Sequence, residues 1–301
     1  MSMLRNRFAD LFKSRLPYLM AVFYEELSDP DQAFEGIFNI QSSSRFREQT
    51  TGITGFGLPY EKPENTALAY DDVEQAFDKT FEHVTYALGF QISKEAKADD
   101  IDGPLNDLTR ALARSMRTGK ARQVWGEFNN GFTATTGALT PDGLPAFSAS
   151  HTLIEGGTFS NLVSADLSIS SLETAINIFA DMVDHRNLEV ELDPAMLLYP
   201  NELRWIVGEI LGSALKPDTS DNATNVLNGI LQPRQIRWLT GADDWFVMSP
   251  PGQNFLHLFN RQMPEFDADI DFDTKAAKES ADDRYSSGWA DWRGAVGGQG
   301  Q

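Results

Sequence analysis

Between residues 102 and 132 the chain reads DGPLNDLTRALARSMRTGKARQVWGEFNNGF. Apolar positions return every three or four residues: Leu105, Leu108, Leu112, Met116, Val124, Trp125 and Phe128. That period predicts one long helix. Asp102 and Gly103 offer cap positions, and Pro104 suits a first turn, where its missing N–H costs nothing. Gly131 is a natural stop. With a rise of about 1.5 Å per residue the helix would run roughly 40 Å, the width of a small domain. Acids precede it (Asp99, Asp100, Asp102) and bases fill its second half (Arg110, Arg114, Arg117, Lys120, Arg122), a polarity that suits the helix dipole. The rest of the chain is expected to attach to this spine.

Other periods place the remaining elements. Leu4, Phe8, Leu11, Phe12 and Leu16 recur at helical spacing until Pro17 interrupts, and 18–27 reads as a second helix. Residues 28–45 read as an extended arm whose aromatic residues, with those before them (Phe8, Phe12, Phe23, Phe34, Phe38), must find cover on this chain or a neighbour. Gly52, Gly55, Gly57, Pro59 and Pro63 exclude a helix over 46–75, so 47–53 and 66–70 are expected as two strands around a Gly/Pro-rich tip. A loop of that length in a compact domain argues for a functional arm. A strand over 79–93 leads into the spine. Residues 133–160 are turn-rich, 167–186 is an amphipathic helix with a serine cap, and AMLLY at 195–199 is a buried strand. A helix over 201–215, a polar loop at 217–226, paired strands at 235–239 and 245–248, and a strand at 255–259 follow. Strict alternation at 266–272 predicts another strand, and the terminal GGQGQ reads as a flexible tail.

Composition narrows the classes. The 301 residues suffice for one large domain or two smaller ones, and 41% hydrophobic residues support a core. No run of eighteen apolar residues exists for a membrane span, and the basic, apolar N-terminus lacks a secretory cleavage pattern. Without cysteine there are no disulfides, thiolate metal sites or cysteine nucleophiles. A formal charge of −19 favours a soluble, self-repelling chain, so contact with nucleic acid needs a local basic patch.

Candidate chemistry is sparse. His83, His151, His185 and His257 show no metal-ligand spacing. Ser148 and His151, with Asp142 or Asp184, could be drawn as a serine-hydrolase set, but no G-x-S-x-G elbow supports it. Neither a Walker loop nor G-x-G-x-x-G is present. Asp267, Asp269, Asp271 and Asp273 imitate a calcium loop, yet Phe272 stands where glycine is required and Lys278 where the bidentate acid belongs. They read instead as one face of a strand. No catalytic residue, metal site or cofactor is therefore expected. The spine's bases could line a surface facing packaged nucleic acid, or pair with acids of this or an adjoining chain.

The order of parts, together with GITGFG, YALGFQISKE, LARSM, FNNGF, LPAFSASHTLIEGGTFSNLVSADLSISSLETAI and YSSGWADWRG, resembles the major capsid protein of tailed bacteriophages. The fold of that family is the Hong-Kong-97-type α+β fold, and the local sequence looks most like the Mu-like major head subunit family. The resemblance spans roughly 47–294.

It implies a structural subunit, not an enzyme. Copies would assemble as hexamers and pentamers into an icosahedral head around double-stranded DNA, assembled in the host cytoplasm. It implies an N-terminal arm (1–45), an extended loop (46–80), a peripheral domain with the spine (81–145), an axial domain (146–250), and returning peripheral strands with a tail (251–301). Arg47, Phe56, Leu58, Tyr60 and Lys62 become inter-subunit loop candidates. Arg110, Arg114, Arg117, Lys120 and Arg122 become inner-surface or DNA-facing candidates. A separate scaffolding protein, a maturation protease, a portal and a decoration protein are implied partners, with no membrane, and no covalent cross-link through Lys62 is expected. The alternatives are an encapsulin-like compartment shell and, from another class, the soluble serine-type hydrolase.

Overall fold

The computed structural model describes residues 4–27, 34–68, 70–93, 104–135, 138–215, 224–271, 273–274 and 276–300, and in the first helix only the side chains from Leu16 onward. The expected caps at Asp102 and Gly103 lie outside the described residues, as do Asp99 and Asp100. The first helix, α1 (Leu4–Leu27), runs straight through Pro17 instead of breaking there. Pro17 costs an internal hydrogen bond. The tertiary contacts of the following turns offset that loss: Leu19, Val22 and Phe23 are all buried. Leu19 and Phe23 join a cluster with Leu112, Ala113 and Met116 of the spine and with Phe266 and Ala281.

The spine, α2 (Pro104–Asn129), is one uninterrupted helix. Leu112, Met116, Val124, Trp125 and Phe128 are buried as the period required, while Leu108 remains exposed. Phe128 is a hub. Its ring lies 5.2 Å from Trp125, 5.1 Å from Phe246, 5.4 Å from Trp289 and 6.1 Å from Phe38.

Four strands form the sheet under α1 and α2, in the order β1-β11-β12-β4, with β1 (Asn39–Ser42), β4 (Val84–Ile92), β11 (Leu256–Ile270) and β12 (Ala277–Trp289). The strands expected at 255–259 and 266–272 are thus one strand, continuous through two register shifts. Phe266 is buried while Asp267 and Asp269 are exposed, so the period-two reading holds for those two acids, but the strand ends at Ile270 and Asp271 accepts from the Asp273 and Thr274 N–H groups in the turn that follows. Phe272 lies outside the described residues. The strand expected over 79–93 is two strands, since β4 joins the sheet while β3 (Gln75–Glu82) pairs antiparallel with β2 (Arg47–Ile53). The expected partner of β2 at 66–70 forms no strand. That stretch carries Leu68 and Tyr70 into solvent, whereas β3 can bury Ala76 and Phe81.

A second sheet has the order β7-β13-β10-β8-β9, with β7 (Leu162–Val163), β8 (Met196–Tyr199), β9 (Gln232–Gln235), β10 (Trp245–Met248) and β13 (Ala295–Gly298). Every residue of β8 and β10 is buried, as expected of strands covered on both faces. Helix α3 (Ile169–Ala180) carries the serine cap: Ser168 and Ser171 bond reciprocally in a capping box. Helix α4 (Arg204–Gly212) is shorter than its apolar period suggested. The pairing expected between 235–239 and 245–248 does not form, because β8 lies between β9 and β10. Two short strands, β5 (His151–Thr152) and β6 (Thr158–Phe159), close a hairpin in the turn-rich segment.

The C-terminus departs furthest from expectation. Residues 295–298 are not a flexible tail but the second strand of this sheet, completely buried. β13 pairs antiparallel with β10 and parallel with β7. Glycine there serves close approach. A Cβ on Gly297 would lie 2.5 Å from the Phe147 ring, and one on Gly298 2.0 Å from the Trp245 ring.

Candidate functional site

The Gly/Pro-rich stretch beyond β2 and β3 projects with its apolar side chains outward. Phe56 is 64% exposed, Leu58 71%, Tyr60 83% and Tyr70 91%, and Ile53 and Leu68 are exposed as well. Arg47 and Lys62, the charged candidates of the same arm, are also exposed. These are large apolar side chains left open to solvent on one arm.

The foot of this arm is pinned, a feature the sequence did not disclose. Arg186, after α3, meets Asp71 (2.5 Å) and Glu155 (3.3 Å) and donates to the Asp72 carbonyl. The Gly57 N–H donates to the Asp71 carboxylate (2.7 Å). That bond and the Arg186 guanidinium, working against burial, hold Asp71 below the usual carboxylate range. Arm and second sheet are thereby linked by residues more than a hundred positions apart, a relation that carries no local signal.

The arm aromatics divide. Phe23 is fully buried, Phe38 lies against Trp125 at 5.6 Å, and Phe34 packs on the same cluster. These three find cover on their own chain. The side chains of Phe8 and Phe12 lie outside the described residues.

The spine's bases do not form one patch. Arg114 pairs with Glu26 (2.8 Å) and Arg117 donates to the Glu26 carbonyl (3.1 Å), tying α2 to α1. Arg110 reaches Asp107 at 3.9 Å. Arg122 is exposed. Lys120 points inward: its Nζ donates to Asn260 (2.8 Å) and lies 4.9 Å from the Tyr285 ring centre. Burial lowers its pKa, with Asp283 opposing.

The hydrolase set is a structural knot. His151 is wholly buried, with Nδ1 2.8 Å from the Asp142 carboxylate and Nε2 3.1 Å from Asn161 Oδ1. Its ring stacks on Trp292 at 4.6 Å. Both ring nitrogens are engaged, and the Ser148 hydroxyl instead accepts from the Ser150 N–H. Asp184 accepts from the N–H groups of Arg186 and Leu188. Nothing here can activate a nucleophile. His151→Ala would take the Oδ2 partner from the Asp142 carboxylate, whose side chain is 1% exposed, leaving it the Thr140 hydroxyl and the Leu144 N–H. The expected loss is about 3–5 kcal/mol of stability, read from urea unfolding.

A second feature lies between α2 and the β3–β4 strands, in a cleft of about 450 Å³ lined by Lys79, Glu82, Tyr86, Glu127, Tyr285 and Ser287 among others. Glu127 accepts from the Ser287 hydroxyl (2.8 Å). Burial pushes its carboxyl up to about 7, with Ser287 and Lys79 pulling the other way. A carboxyl raised from 4.5 makes the folded chain the better proton binder between those values. Its contribution to stability is therefore complete at low pH and declines as pH rises from about 4.5 towards 7, by about 3 kcal/mol. Urea melts at pH 5 and pH 8 should show that decline, and Glu127→Gln should flatten it. The sequence held a signal for this residue: Glu127 falls on the apolar stripe between Val124 and Phe128.

On the second sheet's side, α4 exposes Trp205 (76%) and Ile206, near exposed Leu215, Val226 and Ile230. The polar loop expected here lies outside the described residues at 216–223.

A family model described as phage capsid protein matches residues 77–297. No curated protein sequence matches the chain. Solved structures share its fold at low identity. One from Microbacterium phage Oxtober96 is 10% identical with a TM-score of 0.59, over 90% of this chain and 91% of that one. The mature capsid of bacteriophage PhiM1 is 9% identical with a TM-score of 0.57, over 87% and 86%. The capsid of bacteriophage JBD30, decorated with minor capsid protein trimers, is 11% identical with a TM-score of 0.55, over 69% and 90%.

Proposed function

With residues 77–297 matched, the chain belongs to the phage capsid protein family, and from that premise we propose how its surfaces build a shell. The protein is a major capsid shell protein of Hong-Kong-97-type α+β fold, structural and not enzymatic, with its place in the virion. We assign it to the Mu-like head subunits on the local sequence quoted above. Its copies assemble as hexamers and pentamers. The arm at 46–80 reaches over a neighbouring copy and buries Phe56, Leu58 and Tyr60 there, flanked by Arg47 and Lys62. The peripheral domain comprises 81–145 with the returning strands up to residue 294. The axial domain comprises 146–250 with the last strand, and its α4 face meets other copies near the capsomer centre.

One observation carries this reading: the row of large apolar side chains on the arm, held out by the Arg186–Asp71 anchor. A shell of identical copies is the setting in which such a row is covered. Double-stranded DNA fills the shell without sequence readout. Of the spine's bases, Arg110 and Arg122 remain the DNA-facing candidates, while Arg114, Arg117 and Lys120 serve the chain's own interior contacts. A separate scaffolding protein, a maturation protease and a portal belong to the same proposal, as does assembly in the host cytoplasm. A decoration protein is proposed by analogy with the trimers on the JBD30 capsid. Among the described residues no helix is long and apolar enough to cross a membrane.

Electron microscopy of the purified protein, with light scattering for mass, tests the proposal. Closed shells, capsomers or sheets support it. A monodisperse monomer, unchanged by crowding or by the scaffolding protein, overturns it. DNA inside native shells separates a phage head from an encapsulin-like compartment, which would hold protein cargo.

A further inference from the structure

We propose that the cleft between α2 and the β3–β4 strands receives an arginine side chain from a second copy of this chain, with Glu127 as its acceptor and Tyr86 as its wall. The proposal rests on the shell reading for the identity of the donor, and on the cleft's own chemistry for the rest.

The cleft is large enough for a side chain, and its lining mixes polar groups (Lys79, Glu82, Glu127, Ser287) with Phe81, Val84 and Tyr86. Two of its polar atoms are buried without a hydrogen-bond partner among the described residues: Glu127 Oε2 and the Tyr285 hydroxyl. Both residues are more than nine-tenths buried. An orphaned carboxylate oxygen at the foot of a cavity is costly, and an incoming donor removes the cost. The cleft's own amine, Lys79 Nζ, donates to the Leu139 carbonyl (2.5 Å) and acts on Glu127 through its charge, leaving Glu127 Oε2 without a hydrogen bond among the described residues. Glu82 adds a second acid at the exposed rim, so acids outnumber bases on the lining.

The wall selects among cations. Tyr86 stacks on Tyr285 at 4.8 Å and is only half-buried. A planar guanidinium can lie along such a wall and still direct two parallel N–H groups at a carboxylate, which an ammonium cannot do. This chain offers suitable donors. Arg45 has a side chain 78% exposed at the foot of the arm, where it meets Glu48 at 3.9 Å, and Arg47 nearby is exposed. Within one copy Arg47 stands across the β2–β3 ladder from Glu82 at the cleft rim, and Arg45 precedes that strand. A neighbour's arm, laid across the subunit, delivers them from outside.

Because the empty cleft holds a proton on Glu127 for part of the time near neutrality, seating a guanidinium expels that proton to solvent. Binding is therefore tighter at higher pH. The test titrates L-argininamide into the full-length, unassembled subunit at pH 6 and pH 8, followed by NMR with selectively labelled glutamate and tyrosine. The expected result is saturable binding, several-fold tighter at pH 8, with shifts at Glu127, Tyr86 and Tyr285. Neutral citrullinamide should not bind, and Glu127→Gln should weaken argininamide at least tenfold while keeping the wild-type circular dichroism. Equal affinity for Glu127→Gln, or equal affinity for citrullinamide, overturns the cleft. A second arm measures the concentration at which shells first form, expected to rise at least tenfold for Glu127→Gln. Unchanged assembly of that variant overturns the inter-copy contact. If the wild type forms no shells, the shell reading fails by itself, and argininamide still decides the cleft.

Discussion

Replacing Phe56, Leu58 and Tyr60 together by serine should abolish shell formation and leave the subunit folded. The three side chains are 64%, 71% and 83% exposed, so the isolated subunit gains nothing from them. Its melting temperature should stay within a few degrees of wild type. In a shell each would be covered by a neighbour. Burying a large apolar side chain is worth about 1.5–3 kcal/mol. Allowing for incomplete burial, the triple variant loses roughly 5 kcal/mol per contact, more than a thousandfold in its equilibrium constant. That loss recurs at every copy, and repetition turns weak contacts into a closed particle or none. Light scattering at increasing concentration reads the outcome. Shells forming at the wild-type threshold would show that the arm faces solvent in the assembly, and the arm proposal would fall. Lys62→Ala, with no apolar area at stake, should change the threshold little.

Deleting residues 295–301 should prevent folding altogether, the larger effect on the subunit itself. A glycine-rich terminus invites trimming, but here it is the strand between β7 and β10. Ala295, Val296, Gly297 and Gly298 are all buried. Removing them strips one of the two neighbouring strands from β10, which keeps β8 on its other edge, and uncovers Trp245 and Val247. Val296 also belongs to the apolar cluster that holds Leu197, Val207 and Phe179. The sum of lost hydrogen bonds and exposed core exceeds the roughly 5–15 kcal/mol by which domains are stable. Insoluble expression, or a soluble chain without a cooperative urea transition, is the expected result. Gly298→Val offers a finer test: a side chain there collides with the Trp245 indole, so the full-length variant should also lose several kcal/mol. A normal melting curve for the truncated chain would show that β13 contributes nothing to the sheet.

Much of this was legible along the chain because it depended on spacing alone. The spine helix, the buried strands at 196–199 and 245–248, the serine cap of α3 and the alternation of Asp267 and Asp269 after Phe266 each follow from sequence pattern or a cap. The arm, too, was marked by glycine and proline, while Phe56, Leu58 and Tyr60 were singled out only by the resemblance. Other elements were misplaced where a local rule met a distant partner. Pro17 is overridden by the contacts of Leu19 and Phe23 on the spine. The strand partner of β2 is β3, not 66–70, because only β3 continues into the first sheet.

The sequence by itself determined the class of molecule: an acidic, cysteine-free α+β chain with a long spine, an outward arm and no catalytic set. These properties rest on composition and on short-range periodicity, which hydrophobic burial and backbone geometry read directly. Only the tertiary structure decided that the terminal glycines are core, that Lys120 turns inward, that Arg186 anchors the arm, and that Glu127 is buried beside a cleft with one oxygen bonded to Ser287 and the other without a partner among the described residues. Each of those outcomes depends on atoms brought together from far apart in the chain. Burial, charge pairing and close approach are properties of that meeting, and no stretch of sequence carries them alone.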